Sequence, residues 1–451
     1  MSDTPCAEPS EGLKERLSNL ARVNPLRTLA TGYAGYMLVT WLLLCLPLTH
    51  EQNDGSALDE LFMAVSAVST TGLVTIDTGG AYNWWGELVL LAAFQAGGLG
   101  YMTLGSFVVL AARRKLSATQ EAIAGVCFTL PEGFEKASFI RHVVIFALVV
   151  ETLGAAGFFF AFRNAGVDEP LWPAVFHSVS GFCTAGFSLF PNSLEDFRGD
   201  FWVNAAATFV SVCGAIGFLV ASDLWLTLNG RRPRMTLTSR IILRMTFGSI
   251  LLGTVLLLVF DNGLAALPRT ERLLAAFFQS MTSLTTVGFN THPLGTLGAA
   301  SLAVITVLMV LGASPSGTGG GLKTTSVSAV FAVTASVLRG DRHVTYRGTE
   351  VPEFRVHQAV AAVVFYLSTA VIGCVLLLAS ETGEPESIVF EAVSALGTVG
   401  ISTGVTGSLT TTGKLIVIGL MFIGRLGPLT VGLALLAARG AAPAAQEDLA
   451  V

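Results

Sequence analysis

Eight apolar runs decide what this chain can become. They fall near 28–48, 84–111, 139–162, 201–228, 239–260, 299–338, 356–380 and 412–438. Each approaches or exceeds the ~20 residues a helix needs to cross a bilayer. Inside hydrocarbon the backbone must satisfy its own polar groups, so these runs are expected to be helices. Composition agrees: 52% of residues are hydrophobic and 13% charged, against about a quarter charged in a soluble domain. The lipid bilayer is the main solvent of this chain. A net charge of −5 offers nothing to nucleic acid.

Between successive pairs of long runs lie four shorter ones, 58–68, 171–182, 272–284 and 386–396. At about a dozen residues they are too short to span, and such segments read as re-entrant helices. Each ends in a glycine motif: "STTGLVT" from Ser69, "CTAGFS" from Cys183, "TTVGFNT" from Thr285 and "LGTVGISTG" from Leu396. The key glycines, Gly72, Gly186, Gly288 and Gly400, are separated by 114, 102 and 112 residues, the mark of an internal fourfold repeat. The expected fold is an all-α membrane protein of four pseudosymmetric units. Each unit is span, pore helix, loop and span, giving eight spanning helices and four re-entrant loops around one cation pore. The expected divisions are a cytoplasmic segment 1–27, repeats at 28–115, 136–230, 236–340 and 354–440, and a cytoplasmic tail 441–451.

Lys and Arg give the orientation. Nineteen of the 26 lie before the first span, in the three joints between units, or after the last span. Both termini and all joints are therefore expected in the cytoplasm of a multi-pass plasma-membrane protein, with the glycine loops entering from outside. The segment "SEGLKERLSNLARV" from Ser10, apolar at Leu13, Leu17, Leu20 and Val23, is expected to lie on the membrane surface. The outer loops are acidic, with Asp59, Glu60, Glu195 and Glu386 among others. Most should be solvated surface, yet together they would concentrate cations at an outer mouth. The six cysteines are scattered without a CxxC pair and read as small apolar fillers.

A dehydrated alkali cation needs several oxygen ligands, and backbone carbonyls supply them without adding charge. Aiming consecutive carbonyls at one axis requires backbone angles that glycine reaches cheaply. Each short helix also points its partially negative carboxyl end at the loop. One such loop is weak evidence; four in equivalent places indicate a cation pore.

On these residues the chain resembles the Trk/Ktr/HKT superfamily of potassium transporters, and looks closest to its Ktr branch, whose membrane subunits are the KtrB type. The resemblance covers roughly 28–440. It implies a potassium filter built from Thr70, Thr71, Gly72 and Leu73; Thr184, Ala185, Gly186 and Phe187; Thr286, Val287, Gly288 and Phe289; and Thr398, Val399, Gly400 and Ile401. Serine at the first filter glycine goes with sodium transport in this superfamily, so Gly72 implies potassium. The first span begins near residue 28, which implies no leading helix pair of the TrkH type.

The run 299–338 is twice too long for one straight span at 1.5 Å per residue. Its middle, "GASPSGTGGGLKTTS" from Gly312, is rich in glycine with one proline and breaks a helix. A phosphate-binding loop would follow a strand in a soluble domain, whereas this one lies between apolar helices. The resemblance implies an intramembrane gate below the filter, formed by Gly317, Gly319, Gly320 and Gly321 with Lys323. Lys323 could also snorkel to the interface. Arg425, in the last span, marks a functional position by default and matches the superfamily arginine that faces the cavity near the gate. Glu391, in the fourth short helix, could tether it, while His177 reads as packing.

A coupled secondary symporter would show two related halves rather than four units. A TrkH-like or sodium-permeable cation transporter is the nearer alternative. An intramembrane enzyme is excluded by the lack of HExxH, GxSxG or paired carboxylates. The longest joint, about 27 residues, is too short for a nucleotide-binding domain. Potassium is the expected substrate and sodium an open activator. The resemblance implies a homodimer and a KtrA-like cytoplasmic ring that alone carries ATP or ADP.

Overall fold

The computed structural model describes residues 25–51, 55–100, 136–315, 317–341, 343–346 and 348–427. The expected surface segment before residue 25, most of the first joint, the end of the last run past Gly427, Cys6 and Cys127 lie outside the described residues.

Fourteen principal helices follow one pattern. A longer helix leads: α1 (Pro25–Leu44), α4 (Lys136–Asn164), α8 (Leu237–Phe260) or α12 (Glu353–Ser380). A short helix comes second: α2 (Ala57–Ser69), α5 (Leu171–Phe182), α9 (Arg269–Thr285) or α13 (Pro385–Gly397). A loop and a further helix close each unit: α3 (Trp84–Leu99), α6 (Phe201–Ile216), α10 (Ala299–Leu311) or α14 (Thr411–Leu426). Two extra helices, α7 (Phe218–Leu228) and α11 (Thr324–Arg339), continue α6 and α10 beyond a break. A two-stranded hairpin, β1 (Thr345–Tyr346) and β2 (Thr349–Glu350), lies in the third joint.

The caps are local and readable. Ser56 and Asp59 form a reciprocal capping box at α2, and Asn83, Asp200 and Thr410 accept from the first turns of α3, α6 and α14, satisfying donors a helix start leaves orphaned. Each leading helix packs on the short helix of its own unit. Each closing helix packs on the short helix of the next: α3 on α5, α6 on α9, α10 on α13, and α14 back on α2. The packing therefore closes on itself. The short helices are buried toward their C-terminal ends, whereas α4, α8 and α12 present Leu153, Leu251 and Val371 outward at 56%, 67% and 62% exposure, as lipid-facing helices do.

The spans differ from the sequence expectation in one respect. Among the described residues, three helices (Arg141–Asn164, Leu237–Phe260 and Glu353–Ser380) are long and apolar enough to cross a membrane alone. The run 201–228 is bent by 92° between α6 and α7. The broken run at 299–338 is not unique: α3, α6, α10 and α14 all stop at a glycine with positive φ, Gly100 (79°), Gly217 (78°), Gly312 (51°) and Gly427 (83°). Hydropathy continues through these points, so apolar runs could not reveal them. Cys45 is exposed on the outer surface, unlike the fully buried Cys183.

Candidate functional site

The four glycine motifs meet. Each begins with a threonine in the left-handed region: Thr70 (53°), Thr184 (52°), Thr286 (56°) and Thr398 (48°). These are four of the six non-glycine residues with positive φ among the described residues. A β-branched residue there is a genuine outlier and costs of order 1–3 kcal/mol. The glycine two residues on is again positive: Gly72 (91°), Gly186 (68°), Gly288 (91°) and Gly400 (89°). The residues between, Thr71, Ala185, Val287 and Val399, are not. Alternating the sign of φ turns successive carbonyls toward one side of the chain instead of opposite sides.

Each glycine abuts the next motif. A Cβ on Gly72 would come within 3.0 Å of the Ala185 carbonyl oxygen. One on Gly186 would meet Val287, one on Gly288 would meet Val399, and one on Gly400 would return to Thr71. The four segments thus form a closed ring of backbone with no room for side chains on its glycines. The residues that follow, Leu73, Phe187, Phe289 and Ile401, are buried in the surrounding core.

The ring is held from behind by residues that sequence reasoning missed. Six residues before each glycine stands a buried hydroxyl: Ser66, Ser180, Thr282 and Ser394. Ser180 donates to the Phe187 carbonyl (2.8 Å), Thr282 to Phe289 (2.6 Å) and Ser394 to Ile401 (2.7 Å), while Ser66 accepts from the Gly72 amide (3.1 Å). Superposing the four motifs in the sequence would have exposed this register. A second tier sits nine residues before the glycine. Glu391 accepts from Ser402 (2.8 Å) and from Thr406. His177 meets Ser188 (2.9 Å) and the Pro173 carbonyl (2.7 Å). That carbonyl can only accept, so Nδ1 carries the proton and Nε2 accepts from Ser188. Gln279 donates to the His292 carbonyl (3.3 Å). The first unit has Met63 in this register. Glu391→Gln retains an acceptor for one hydroxyl, whereas Glu391→Leu leaves Ser402 and Thr406 without theirs. The glutamine variant is expected to keep cation selectivity within about twofold and the leucine variant to lose roughly tenfold, the scale of one buried hydrogen bond. Competition uptake assays on both variants measure this, and equal selectivity would remove Glu391 from the site.

Beneath the ring lies the loop Gly312 to Lys323. Thr318 donates to the Phe182 carbonyl (2.8 Å), and its hydroxyl lies 3.3 Å from that of Thr184. The Gly320 amide donates to the Thr286 hydroxyl (3.0 Å). A Cβ on Gly320 would collide with the Thr398 hydroxyl, and one on Gly319 with that of Thr286. Arg425 donates to the Thr70 hydroxyl (2.8 Å), the Thr318 carbonyl (2.6 Å) and the Gly97 and Gly98 carbonyls. Three of the four left-handed threonines are thus engaged by the loop or Arg425, and the buried Thr398 hydroxyl has no partner among the described residues. Gly317 fits against the Ala215 carbonyl, and Gly321 (φ 69°) against Gly312. Lys323 turns back on the loop and donates to the Gly319 carbonyl (2.6 Å). Beside Gly317 and Thr318 is a small recess lined by Gly98, Leu99, Val143, Phe146, Phe182 and Phe218 among others.

Above the ring, several acids are already committed. Asp59 pairs with Lys414 (2.6 Å), tying α2 to α14. Glu60 accepts from Tyr82 (2.6 Å). Glu195 accepts from Asn290 (2.5 Å), two residues past Gly288; burial pushes its carboxyl up, against the pull of that hydrogen bond.

Known cation transport proteins resemble this chain over most of its length. A family described as TrkH, cation transport protein, matches residues 36–439. The chain is 33% identical over 412 residues to the Ktr system potassium uptake protein B of Vibrio alginolyticus, covering 90% of each. It is 31% identical to the potassium/sodium uptake protein NtpJ of Enterococcus hirae, over 92% of this chain and 93% of that one. The solved structure of the potassium transporter TrkH from Vibrio parahaemolyticus shares its fold, with a TM-score of 0.69, 20% identity and coverage of 90% and 85%. With family, relatives and fold in agreement over nearly the whole chain, this protein belongs to the TrkH family of cation transport proteins.

Proposed function

We propose that this chain takes up potassium across the plasma membrane through a single gated pore. Its four units of span, pore helix, loop and span surround one axis, and the loops at Gly72, Gly186, Gly288 and Gly400 form the selectivity filter. The observation that carries this reading is the closed cycle of glycine-to-carbonyl contacts. A ring of carbonyls at membrane depth, with left-handed threonines at its base, suits a dehydrated monovalent cation. In the bilayer such irregular backbone is tolerated only where it lines a cavity.

The loop 312–323 with Arg425 is the gate: it fills the space directly below the threonines and brings two cationic side chains to the exit. The joints and both termini face the cytoplasm, in keeping with the arginine distribution. The chain acts as a homodimer regulated by a separate nucleotide-binding cytoplasmic subunit; that relatives are named as one protein of a Ktr system supports a separate subunit. Sodium has a specific claim as activator or second permeant ion, because one relative is named for both cations.

The test is potassium uptake in a bacterium stripped of its own potassium transporters, with and without sodium and with and without a Ktr-type cytoplasmic subunit. Growth at low potassium that requires this chain and rises with the subunit is expected. No uptake under any combination, with the protein present in the membrane, would sink the assignment; equal uptake of sodium would favour the less selective alternative.

A further inference from the structure

We propose that α7 and the arginine-rich turn after it form a binding site for anionic phospholipid headgroups, and that lipid bound there steadies the gate loop in its closed position. The inference rests on the orientation and gate proposed above. The 92° bend at Gly217 turns α7 away from the membrane-crossing direction of α6 and lays it along the cytoplasmic surface. One face of α7 is packed inward at Val220 and Asp223, 3% and 5% exposed. The adjoining face carries Leu224, Trp225 and Leu228 at 43%, 66% and 75% exposure. Large apolar groups on one side of a surface helix, with cations beside them, are the composition of an interfacial segment.

The cations follow at once. Arg231, Arg234, Arg240 and Arg244 are all exposed, and residues 224–260 contain no Asp or Glu. The carboxylate that precedes them in the chain is already occupied: Asp223 accepts from Arg232 (3.1 Å), the Thr236 amide (2.7 Å) and the Thr236 hydroxyl (2.9 Å). Those bonds pin the turn between α7 and α8, and none of these four exposed arginines forms an ion pair among the described residues. Headgroups of the adjacent leaflet supply the counter-charge, since a basic cluster next to a span is drawn to anionic lipid.

The link to the gate is one residue long. The backbone just before Gly217 is hydrogen-bonded to the loop: the Ser314 amide donates to the Ala215 carbonyl (3.1 Å) and the Thr318 amide to the Gly214 carbonyl (3.0 Å). Thr318 is also the residue whose hydroxyl reaches Thr184. The lipid site is assembled in the same conformation that holds the loop under the filter. A ligand stabilises the state that presents its site, so anionic lipid favours the closed gate.

The experiment uses the full chain, purified and compared with Arg231→Gln/Arg234→Gln/Arg240→Gln and with the charge-preserving triple change to lysine. Native mass spectrometry should show phosphatidylglycerol retained severalfold over phosphatidylcholine by the wild type and the lysine variant, and no preference in the glutamine variant. Basal potassium flux, without any cytoplasmic subunit, should be about tenfold lower in vesicles containing one quarter phosphatidylglycerol than in phosphatidylcholine alone. The glutamine variant should conduct equally in both. Equal retention of phosphatidylglycerol by the wild type and the glutamine variant overturns the site. Selective retention with wild-type flux indifferent to the lipid overturns the coupling to the gate. Selective retention with no potassium flux in any vesicle, with or without a Ktr-type cytoplasmic subunit, leaves the lipid site standing and refutes the potassium reading instead.

Discussion

Gly288→Ser, and equally Gly72→Ser, is expected to abolish the preference for potassium over sodium. At both positions a Cβ falls within 3.0 Å of a backbone carbonyl on the neighbouring motif, and backbone oxygen cannot rotate away as a side chain would. Both residues also sit at φ 91°, where any side chain is strained. Relief must come from moving the carbonyl, which is the proposed ligand. A shift of a few tenths of an ångström in one carbonyl changes the balance between ions of different radius. We expect selectivity to fall by at least tenfold, equivalent to about 1.4 kcal/mol. Potassium uptake with sodium as competitor measures it. Gly248→Ala serves as the control, because nothing lies within 4 Å of its Cβ position. Unchanged selectivity in both serine variants would remove these loops from the pore.

Arg425→Ala is expected to raise basal flux by one to two decades and to weaken its dependence on a cytoplasmic subunit. Two effects act together. At an effective dielectric near 20, a unit charge ~6 Å from a passing cation adds a barrier of roughly 3 kcal/mol, about two decades in rate. The guanidinium also fastens the loop to the glycine ring through Thr318 and Thr70. Shortening the loop across 317–321 should act in the same direction, because it withdraws the Thr318 and Gly320 contacts to Thr184 and Thr286. Flux from vesicles, normalised to folded protein, is the measurement. Wild-type flux in both variants would return Lys323 and Arg425 to structural roles.

Much of this was legible in the sequence because bilayer length rules and glycine chemistry act locally. The short helices at 58–68 and 171–182 proved to be Ala57–Ser69 and Leu171–Phe182. What stayed hidden depends on contact between distant segments. Nothing in "SAVSTTG" alone says that Ser66 holds the loop, since the bond forms only after Thr70 adopts a left-handed turn. The bend at Gly217 was invisible because Ile216 and Phe218 keep the apolar run unbroken across it. Lys323 and Arg425 could be picked out as charges within apolar runs, but their partners, Gly319, Thr70 and Thr318, could not. His177 was read as packing, yet its ring also bridges Pro173 and Ser188 behind the second motif.

The plug below the ring is fastened unevenly, and that unevenness gives opening a direction. On the first unit's side the fastening is a charged donor at 2.8 Å from Thr70; charge-assisted bonds are the strong ones. Facing the second unit, Thr318 donates through its hydroxyl to the Phe182 carbonyl (2.8 Å) and through its amide to that of Gly214 (3.0 Å), whereas on the fourth the Thr398 hydroxyl holds nothing among the described residues. A door attached in this way tips rather than slides. Its loosest side is the fourth unit's, where Gly320 lies against Thr398 with no hydrogen bond between them. The loop would lift first from the fourth unit, turning about Thr318, which Arg425, Phe182 and Gly214 hold in place.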